Sequence, residues 1–355
     1  MNERLSRLRD FLRAKKLDAV IVTNPKNRRY LSGFTGSSGY LLITCTKAKL
    51  ITDFRYLAQA GDQAKLFEII RHGANPLDTV AKEVCGAAVR RIGFESDHLT
   101  FSAYDSLRKL LKDIELQPVQ LNDLRMIKDA GEIALIKTAV EIADAAFSHV
   151  LSWLRPGLTE IAVAAELEFA MRRQGAEKPA FDTIVASGVR GALPHGIASD
   201  KVIAAGDLVT MDFGAVYQGY HSDITRTVCI GRASARQREI YHIVLSAQLA
   251  GVKAVQAGRT GKEVDAVSRQ VITEAGYGEY FGHGLGHGVG LAIHEAPALS
   301  PGKTEIVLAE RMLVTVEPGI YLPDWGGVRI EDTVVVNHAG CDILTASSKE
   351  FVEIG

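Results

Sequence analysis

The 355-residue sequence predicts an α/β domain over residues 1–125, followed by an α+β domain over residues 126–355 that carries an internal repeat. Three observations predict this. Short apolar strands alternate with helical patterns as far as Arg125, which implies a sheet largely covered by helices. Around Asn122-Asp-Leu-Arg125 the pattern changes to long helices followed by hairpins. The second part then repeats itself. Pro156-Gly-Leu-Thr159 before a helix is echoed by Ala257-Gly-Arg-Thr260, and Leu208-Val-Thr-Met-Asp-Phe-Gly214 by Leu313-Val-Thr-Val-Glu-Pro-Gly319. Ser222-Asp-Ile-Thr225 is echoed by Ile330-Glu-Asp-Thr333.

In the first domain, Ala19-Val-Ile-Val-Thr23 reads as a buried strand ended by an Asn24-Pro25 turn. Gly39–Thr44 and Ala48–Thr52 read as paired neighbours, and Phe67–Ile70 and Arg91–Phe94 as further strands. Helices are expected around 54–63, 76–90 and 101–112. The glycine-rich stretch Ser32–Gly39 lacks the spacing of a phosphate-binding loop and is expected to be flexible. In the second domain, helices are expected from Lys128 through Trp153, from Thr159 to about Gln174, and over 234–256 and 260–275.

Between the first pair of helices and the second lies a hairpin-like stretch, Leu208–Val228. Folding it about Tyr217-Gln218 sets Asp212 opposite Asp223, within the ~4.5–5.5 Å Cβ separation of opposed residues. The second copy, turning over Pro323-Asp-Trp-Gly-Gly327, sets Glu317 and Glu331 equidistant from Asp324. A duplicated helix–hairpin unit can pack about a pseudo-twofold axis and bring all four acids to one centre. Four carboxylates gathered there cost too much without cations. Two divalent metals supply the charge, and a water held between them turns hydroxide-like near neutral pH, which points to a hydrolase. An oxygen-rich site with one imidazole favours Mn²⁺, Co²⁺ or Zn²⁺.

The imidazole comes from Gly282-His-Gly-Leu-Gly-His-Gly-Val-Gly-Leu-Ala-Ile-His-Glu295. Glycine at alternate positions is a period of two, hence extended chain. One face carries His283, Leu285, His287 and Val289; the other is bare backbone that admits close approach of a neighbouring strand.

Composition narrows the classes further. The chain is 47% hydrophobic and 23% charged with a net charge of −1, and has no basic run interleaved with aromatics. Nucleic acid and anionic membrane are therefore not expected partners. The start reads as a charged amphipathic helix and not as a signal peptide, and no apolar run approaches the ~20 residues of a membrane span. The four cysteines (Cys45, Cys85, Cys229, Cys341) are scattered, which suggests buried free thiols and a cytoplasmic location.

The motifs MDFG…SDITRT, HGLGHGVGLAIHE, TVEPGIY and GVRIEDT together resemble the pita-bread metallopeptidases, the group of aminopeptidase P, prolidase and methionine aminopeptidase. The resemblance covers residues 126–350 and extends, more weakly, to the creatinase-like amino-terminal domain of aminopeptidase P and prolidase. It implies that Asp212 chelates one metal, that His287 and Glu317 hold the other, and that Asp223 and Glu331 bridge both. It gives Glu317 a further role as proton shuttle. His294 and His195 match histidines at the scissile carbonyl and the leaving-group side, and His283 matches a substrate-pocket histidine with Arg329 and Tyr321 close by. A homodimer acting on proline-containing peptides is implied.

The full ligand set argues against the metal-free creatinases and against pita-bread domains that only bind partners. The size of the first domain argues against methionine aminopeptidase. Prolidases commonly carry an arginine after IHE-x-P, suited to the free carboxylate of a dipeptide. Ala298 stands there, which favours an Xaa-Pro aminopeptidase and leaves prolidase as the alternative.

Overall fold

A computed structural model describes residues 2–302 and 306–355. The chain divides into two compact units, Met1–Arg125 and Met126–Gly355. In chain order the first contains α1 (Asn2–Ala14), β1 (Ala19–Val22), α2 (Pro25–Ser32), β2 (Tyr40–Thr44), β3 (Ala48–Thr52), α3 (Leu57–Gln63) and β4 (Glu68–Arg71). It continues with α4 (Pro76–Cys85), β5 (Arg91–Glu95), α5 (Phe101–Leu110) and β6 (Glu115–Val119). The six strands form one mixed sheet in the order β4-β3-β2-β1-β5-β6. All four residues of β1 are buried, as a central strand covered on both faces requires.

Three local features differ from expectation. Asn24-Pro25 starts α2 and is not a turn: the Asn24 side chain accepts the Lys26 N–H at 2.9 Å and Pro25 stands at the first helical position. The Ser32–Gly39 loop is pinned, because the buried Arg28 guanidinium donates to the Gly36 and Gly39 carbonyls at 2.7 Å each. Of the four cysteines, none of which is in a disulfide, Cys229 is buried and Cys341 partly so, while Cys45 and Cys85 are exposed.

The second unit runs α6 (Ala130–Trp153), α7 (Glu160–Arg173), β7 (Lys178–Pro179), β8 (Ile184–Ser187), β9 (Leu208–Phe213), β10 (Ala215–Tyr217), β11 (Tyr220–His221) and β12 (Ile224–Ile230). The second half follows with α8 (Ala235–Ala254), α9 (Gly261–Glu274), β13 (Gly286–Gly288), β14 (Glu295–Leu299), β15 (Leu313–Val316) and β16 (Gly319–Leu322). It closes with β17 (Gly326–Arg329), β18 (Asp332–Asn337), β19 (Gly340–Ile343) and β20 (Glu353–Ile354). A helix pair followed by a long hairpin thus occurs twice. Phe147, Leu167 and Met171 of α6 and α7 pack on Met211, Phe213 and Val228 of the first sheet, ordered β20-β12-β9-β8. Val244 and Ile272 of α8 and α9 pack on Val314, Val316 and Val334 of the second, ordered β14-β13-β15-β18-β19. Asp129 with Glu132, Ser234 with Gln237 and Thr260 with Glu263 form reciprocal caps that start α6, α8 and α9. No described helix is long and apolar enough to cross a membrane.

The hairpins position the acids. In the second, Leu313 pairs with Val335, Val316 with Asp332, and Gly319 with Arg329. That register places Glu317 across from Glu331, as the count about Asp324 predicts. In the first, Asp212 pairs with Thr225 and Tyr217 with Tyr220. The expected pairing of Asp212 with Asp223 is therefore wrong. The turn lies at Gln218-Gly219, with φ of 44° and 75°, because a two-residue turn matched to strand twist needs positive φ at both central residues. Asp223 lies two residues before Thr225 and reaches Asp212 as a diagonal neighbour.

Candidate active site

Despite that shift, carboxylate oxygens of Asp212, Asp223 and Glu331 lie within 4.8 Å of one another. His287 joins them: its Nε2 stands 3.5 Å from Asp223 Oδ2 and 3.3 Å from Glu317 Oε1. The glycines flanking His287 let neighbouring strands come close enough to hold it. A Cβ on Gly286 would meet the Thr315 carbonyl oxygen at 2.0 Å, and one on Gly288 the Ala296 carbonyl oxygen at 2.5 Å.

Burial sets the electrostatics. It raises Asp223 and Glu331 well above the ordinary carboxylate range, and the charges of neighbouring acids add to this. Burial likewise pushes Glu317 up to about 7. A buried guanidinium opposes the crowd: Arg329 donates to Asp212 Oδ2 at 2.6 Å, to the Thr225 hydroxyl at 3.1 Å and to the Tyr321 hydroxyl at 2.9 Å. Burial works against its charge, but Tyr321, Asp212 and Glu317 outweigh that and hold Arg329 protonated.

The histidine tautomers follow from their partners. Burial keeps His287 below its ordinary value, hence neutral, and its Nδ1 faces the Gly288 carbonyl at 3.1 Å. A carbonyl can only accept, so Nδ1 carries the proton and Nε2 turns its lone pair toward Asp223 and Glu317. His283, lowered to about 4 chiefly by burial, follows the same logic. Its Nδ1 donates to the Gly284 carbonyl at 2.7 Å and its Nε2 accepts from the Tyr321 hydroxyl at 2.8 Å.

This donor set fits divalent cations. Asp212 Oδ1 and Glu331 Oε1 are buried and accept no hydrogen bond. A lone pair facing two carboxylates, beside two carboxylate oxygens without donors, is repulsive until a cation stands among them.

Beside the acids opens a cleft of about 440 Å³. Asp212, Asp223, His287, Glu317, His283 and Arg329 line it together with His195 and His294, both exposed there, and with the apolar Phe181, Ile184, Ile197 and Ile293. The His294 ring stands 4.3 Å from that of His287. Glu331 and Tyr321 are not among its lining residues: Glu331 is 1% exposed, and the Tyr321 hydroxyl is engaged by His283 and Arg329.

Sequence reasoning passed over several supporting groups. Thr315 Oγ1 accepts the His287 N–H at 3.0 Å and donates to Glu317 Oε1 at 2.9 Å. Thr225 Oγ1 accepts from Arg329 and donates to Glu331 Oε2 at 2.8 Å. Their signal was present: each stands two residues from an acid of its own copy, so strand alternation puts it on the same face. Glu295 had no such signal. Paired with the buried Lys128 at 3.3 Å and accepting the Ala292 N–H at 2.8 Å, it braces the loop that ends at His294.

The model of Metallopeptidase family M24 matches residues 134–338, more than half of the chain. The chain belongs to metallopeptidase family M24. In this M24 metallopeptidase, residues 4–127 match the Creatinase/Prolidase N-terminal domain. The M24 chain is 43% identical over 355 residues to an Xaa-Pro dipeptidase of Pyrococcus horikoshii, covering 99% of each. Among solved structures it resembles an Xaa-Pro dipeptidase from Bacillus anthracis, at 51% identity and a TM-score of 0.97 over 99% of both chains. It also resembles an X-Pro aminopeptidase from Thermotoga maritima, at 43% identity and a TM-score of 0.90, covering 96% of this chain and 98% of that one. The fold is thus the creatinase-type amino-terminal domain joined to a pita-bread catalytic domain.

Proposed function

We propose that this metallopeptidase hydrolyses the peptide bond before proline, releasing the residue at the amino terminus of a peptide. The observation that carries the metal-dependent reading is the pair of donorless buried oxygens, Asp212 Oδ1 and Glu331 Oε1, beside the His287 lone pair. Asp212 would hold one cation, His287 and Glu317 the other, and Asp223 and Glu331 both. Mn²⁺ is the proposed ion, because four carboxylates to one imidazole is a hard donor set, with Co²⁺ and Zn²⁺ as substitutes. When bound, the cations supply Lewis acidity to the carbonyl and acidify water at the centre.

The chain's own residues do the rest. Glu317 takes the proton of the attacking water, a role that its place at the centre, 3.3 Å from His287 Nε2 and on the wall of the cleft, supports. His294 serves the carbonyl oxygen and His195 the leaving-group side, which their exposure in the cleft supports. His283 would meet the substrate as a neutral imidazole whose orientation Tyr321 and Arg329 fix.

Aminopeptidase is preferred to dipeptidase because of Ala298. It pairs directly across from His287, so an arginine there would share the face of the acids, where it could clamp a terminal carboxylate. The second reading, a strict dipeptidase, is favoured by the Xaa-Pro dipeptidases among the relatives. Comparing Ala-Pro with Ala-Pro-Ala after reconstitution of chelator-treated protein with Mn²⁺ decides between them. Cleavage confined to Ala-Pro would replace the first reading by the second, and no metal-dependent cleavage of either would overturn both. A cytoplasmic homodimer completes the proposal; sedimentation at several concentrations tests the association.

A further inference from the structure

Outside the acid cluster, two buried carboxylates each grip a histidine-bearing segment. Glu160, in the first turn of α7, is fully buried and accepts five hydrogen bonds, all from residues 187–199. Its Oε1 takes the Ser187 N–H at 2.7 Å and the Ser187 hydroxyl at 2.8 Å. Its Oε2 takes Arg190 Nε at 2.9 Å, the Ser199 N–H at 3.1 Å and the Ser199 hydroxyl at 2.6 Å. An acid at this helical position is ordinarily explained by the helix dipole. The dipole requires none of these five donors. They fall at both ends of a segment whose middle carries His195. That segment has little core of its own, since Val189, Leu193 and Ile197 are 56%, 50% and 58% exposed. Its course is set by close packing of Gly191 on the Gly327 backbone and by polar bonds, those to Glu160 at its ends and that from Arg329 to the Pro194 carbonyl at 3.2 Å in its middle. Arg190 extends the grip inward by donating to the Ile197 carbonyl at 2.6 Å.

The second copy of the repeat has a counterpart. Asp265 of α9 is 1% exposed, accepts the Leu285 N–H at 3.0 Å and binds Arg269 through both oxygens at 2.8 Å. Arg269 in turn donates to the Phe281 and His283 carbonyls at 2.7 Å each. Asp265 stands about one turn further along its helix than Glu160 does. The reason is steric. The first helical position of α9 is Gly261, where a Cβ would lie 2.0 Å from the Ala298 carbonyl oxygen, so no side chain fits.

We infer that Glu160 is a positioning residue for His195, holding that imidazole at its place in the cleft through Ser187, Arg190 and Ser199, as Asp265 does for His283. This rests on the reading of His195 as a substrate-contacting histidine. A double-mutant cycle on the metal-loaded enzyme tests it, using Glu160→Gln, His195→Ala and both together. Glutamine keeps the shape and one acceptor oxygen, but its amide nitrogen cannot accept from Arg190 or Ser199. In the parent, Glu160→Gln is expected to lower kcat by on the order of tenfold to a hundredfold, the scale of a small misplacement of a reacting group. Metal stoichiometry should stay unchanged. In the His195→Ala background the same substitution should cost nothing further, because the group it positions is gone. Equal losses in both backgrounds, or no loss in the parent, would overturn the inference. If His195→Ala itself keeps full turnover, the reading of His195 fails and the positioning role with it. If His195→Ala is impaired and Glu160→Gln adds to it independently, only the positioning role is wrong. Should Glu160→Gln not fold, Ser199→Ala removes one donor and enters the same cycle under the same criteria.

Discussion

The two long hairpins of the catalytic domain carry matched acids but deliver them differently. In the second, Glu317 and Glu331 face each other across the register that pairs Val316 with Asp332. In the first, Asp212 faces Thr225, and Asp223 reaches the centre along the diagonal. The neutralising partners differ accordingly. Asp212 receives the guanidinium of Arg329, which the second hairpin supplies from β17. Glu317 accepts the Thr315 hydroxyl and feels the Arg329 charge without a hydrogen bond from it, and burial drives it up to about 7. A duplicated unit thus places non-equivalent acids at one centre, and two metals held there would differ in their ligands.

The largest expected effects probe that inequality. Asp223→Ala and Glu331→Ala should each empty the centre and abolish turnover, exceeding the roughly 10–100-fold that loss of a supporting group costs. Asp212→Ala should leave close to one metal per chain, held by His287 and Glu317. Elemental analysis of the purified variants checks this, and equal metal content in all three would erase the distinction between chelating and bridging acids.

Next in size are the supporting hydroxyls. Thr225→Val and Thr315→Val should each lower activity by roughly 10–100-fold with the fold intact. Thr225→Val should be the worse, because its hydroxyl serves both Arg329 and Glu331, two groups held in the interior. Turnover measured at saturating Mn²⁺ checks the order, and a larger loss from Thr315→Val would reverse it.

The shape of this site was partly legible from sequence, and the limits have physical causes. Helix starts were legible because Asp129, Ser234 and Thr260 cap within three residues of themselves. The acids were legible because duplication repeated the motifs that carry them, Leu208–Gly214 as Leu313–Gly319 and Ser222–Thr225 as Ile330–Thr333. The centre of the first hairpin's turn was missed by one residue, and its register therefore by two, since a glycine marks a turn without saying which of its positions the glycine fills. Helix α2 was missed because Asn-Pro announces both a turn and a helix start, and only eight residues follow. Glu160 and Glu295 left no local trace. The donors to Glu160 lie 27–39 residues away and the Lys128 partner of Glu295 167 away, distances that are set by tertiary packing.

Acidity offers a third test, of intermediate size. Burial raises Glu317, Asp223 and Glu331 in the metal-free protein, whereas in the unfolded chain they titrate near pH 4. Between those values the folded state binds more protons than the unfolded one. Metal-free protein should therefore be most stable at the acid end of this window and lose stability as pH rises from about 4 through about 7. Metal binding should release protons over the same window. Urea midpoints of chelator-treated protein between about pH 5 and about pH 8 check the first, and calorimetry with Mn²⁺ in buffers of different ionisation enthalpy checks the second. A urea midpoint of the metal-free protein that rises with pH would contradict the crowding of acids.

The smallest expected effect separates the turns themselves. Gly219 holds φ at 75° in the first hairpin, and Asp324 holds φ at 61° in the second. Gly219→Ala forces a Cβ into the left-handed region and should cost about 1–2 kcal/mol, since alanine has no side-chain hydrogen bond to offset the strain. Asp324→Gly removes a strain that aspartate already tolerates, but it also frees the unfolded chain, so the two contributions of about 0.5–1 kcal/mol nearly cancel. Thermal melts of the metal-loaded variants should show a clear loss for the first and almost none for the second. Because the turn at Gln218-Gly219 sets which residue faces Asp212, Gly219→Ala should also weaken metal retention, while Asp324→Gly should not. If Asp324→Gly lost metal as readily, the two turns would be equally strict and the difference in register would not govern the centre.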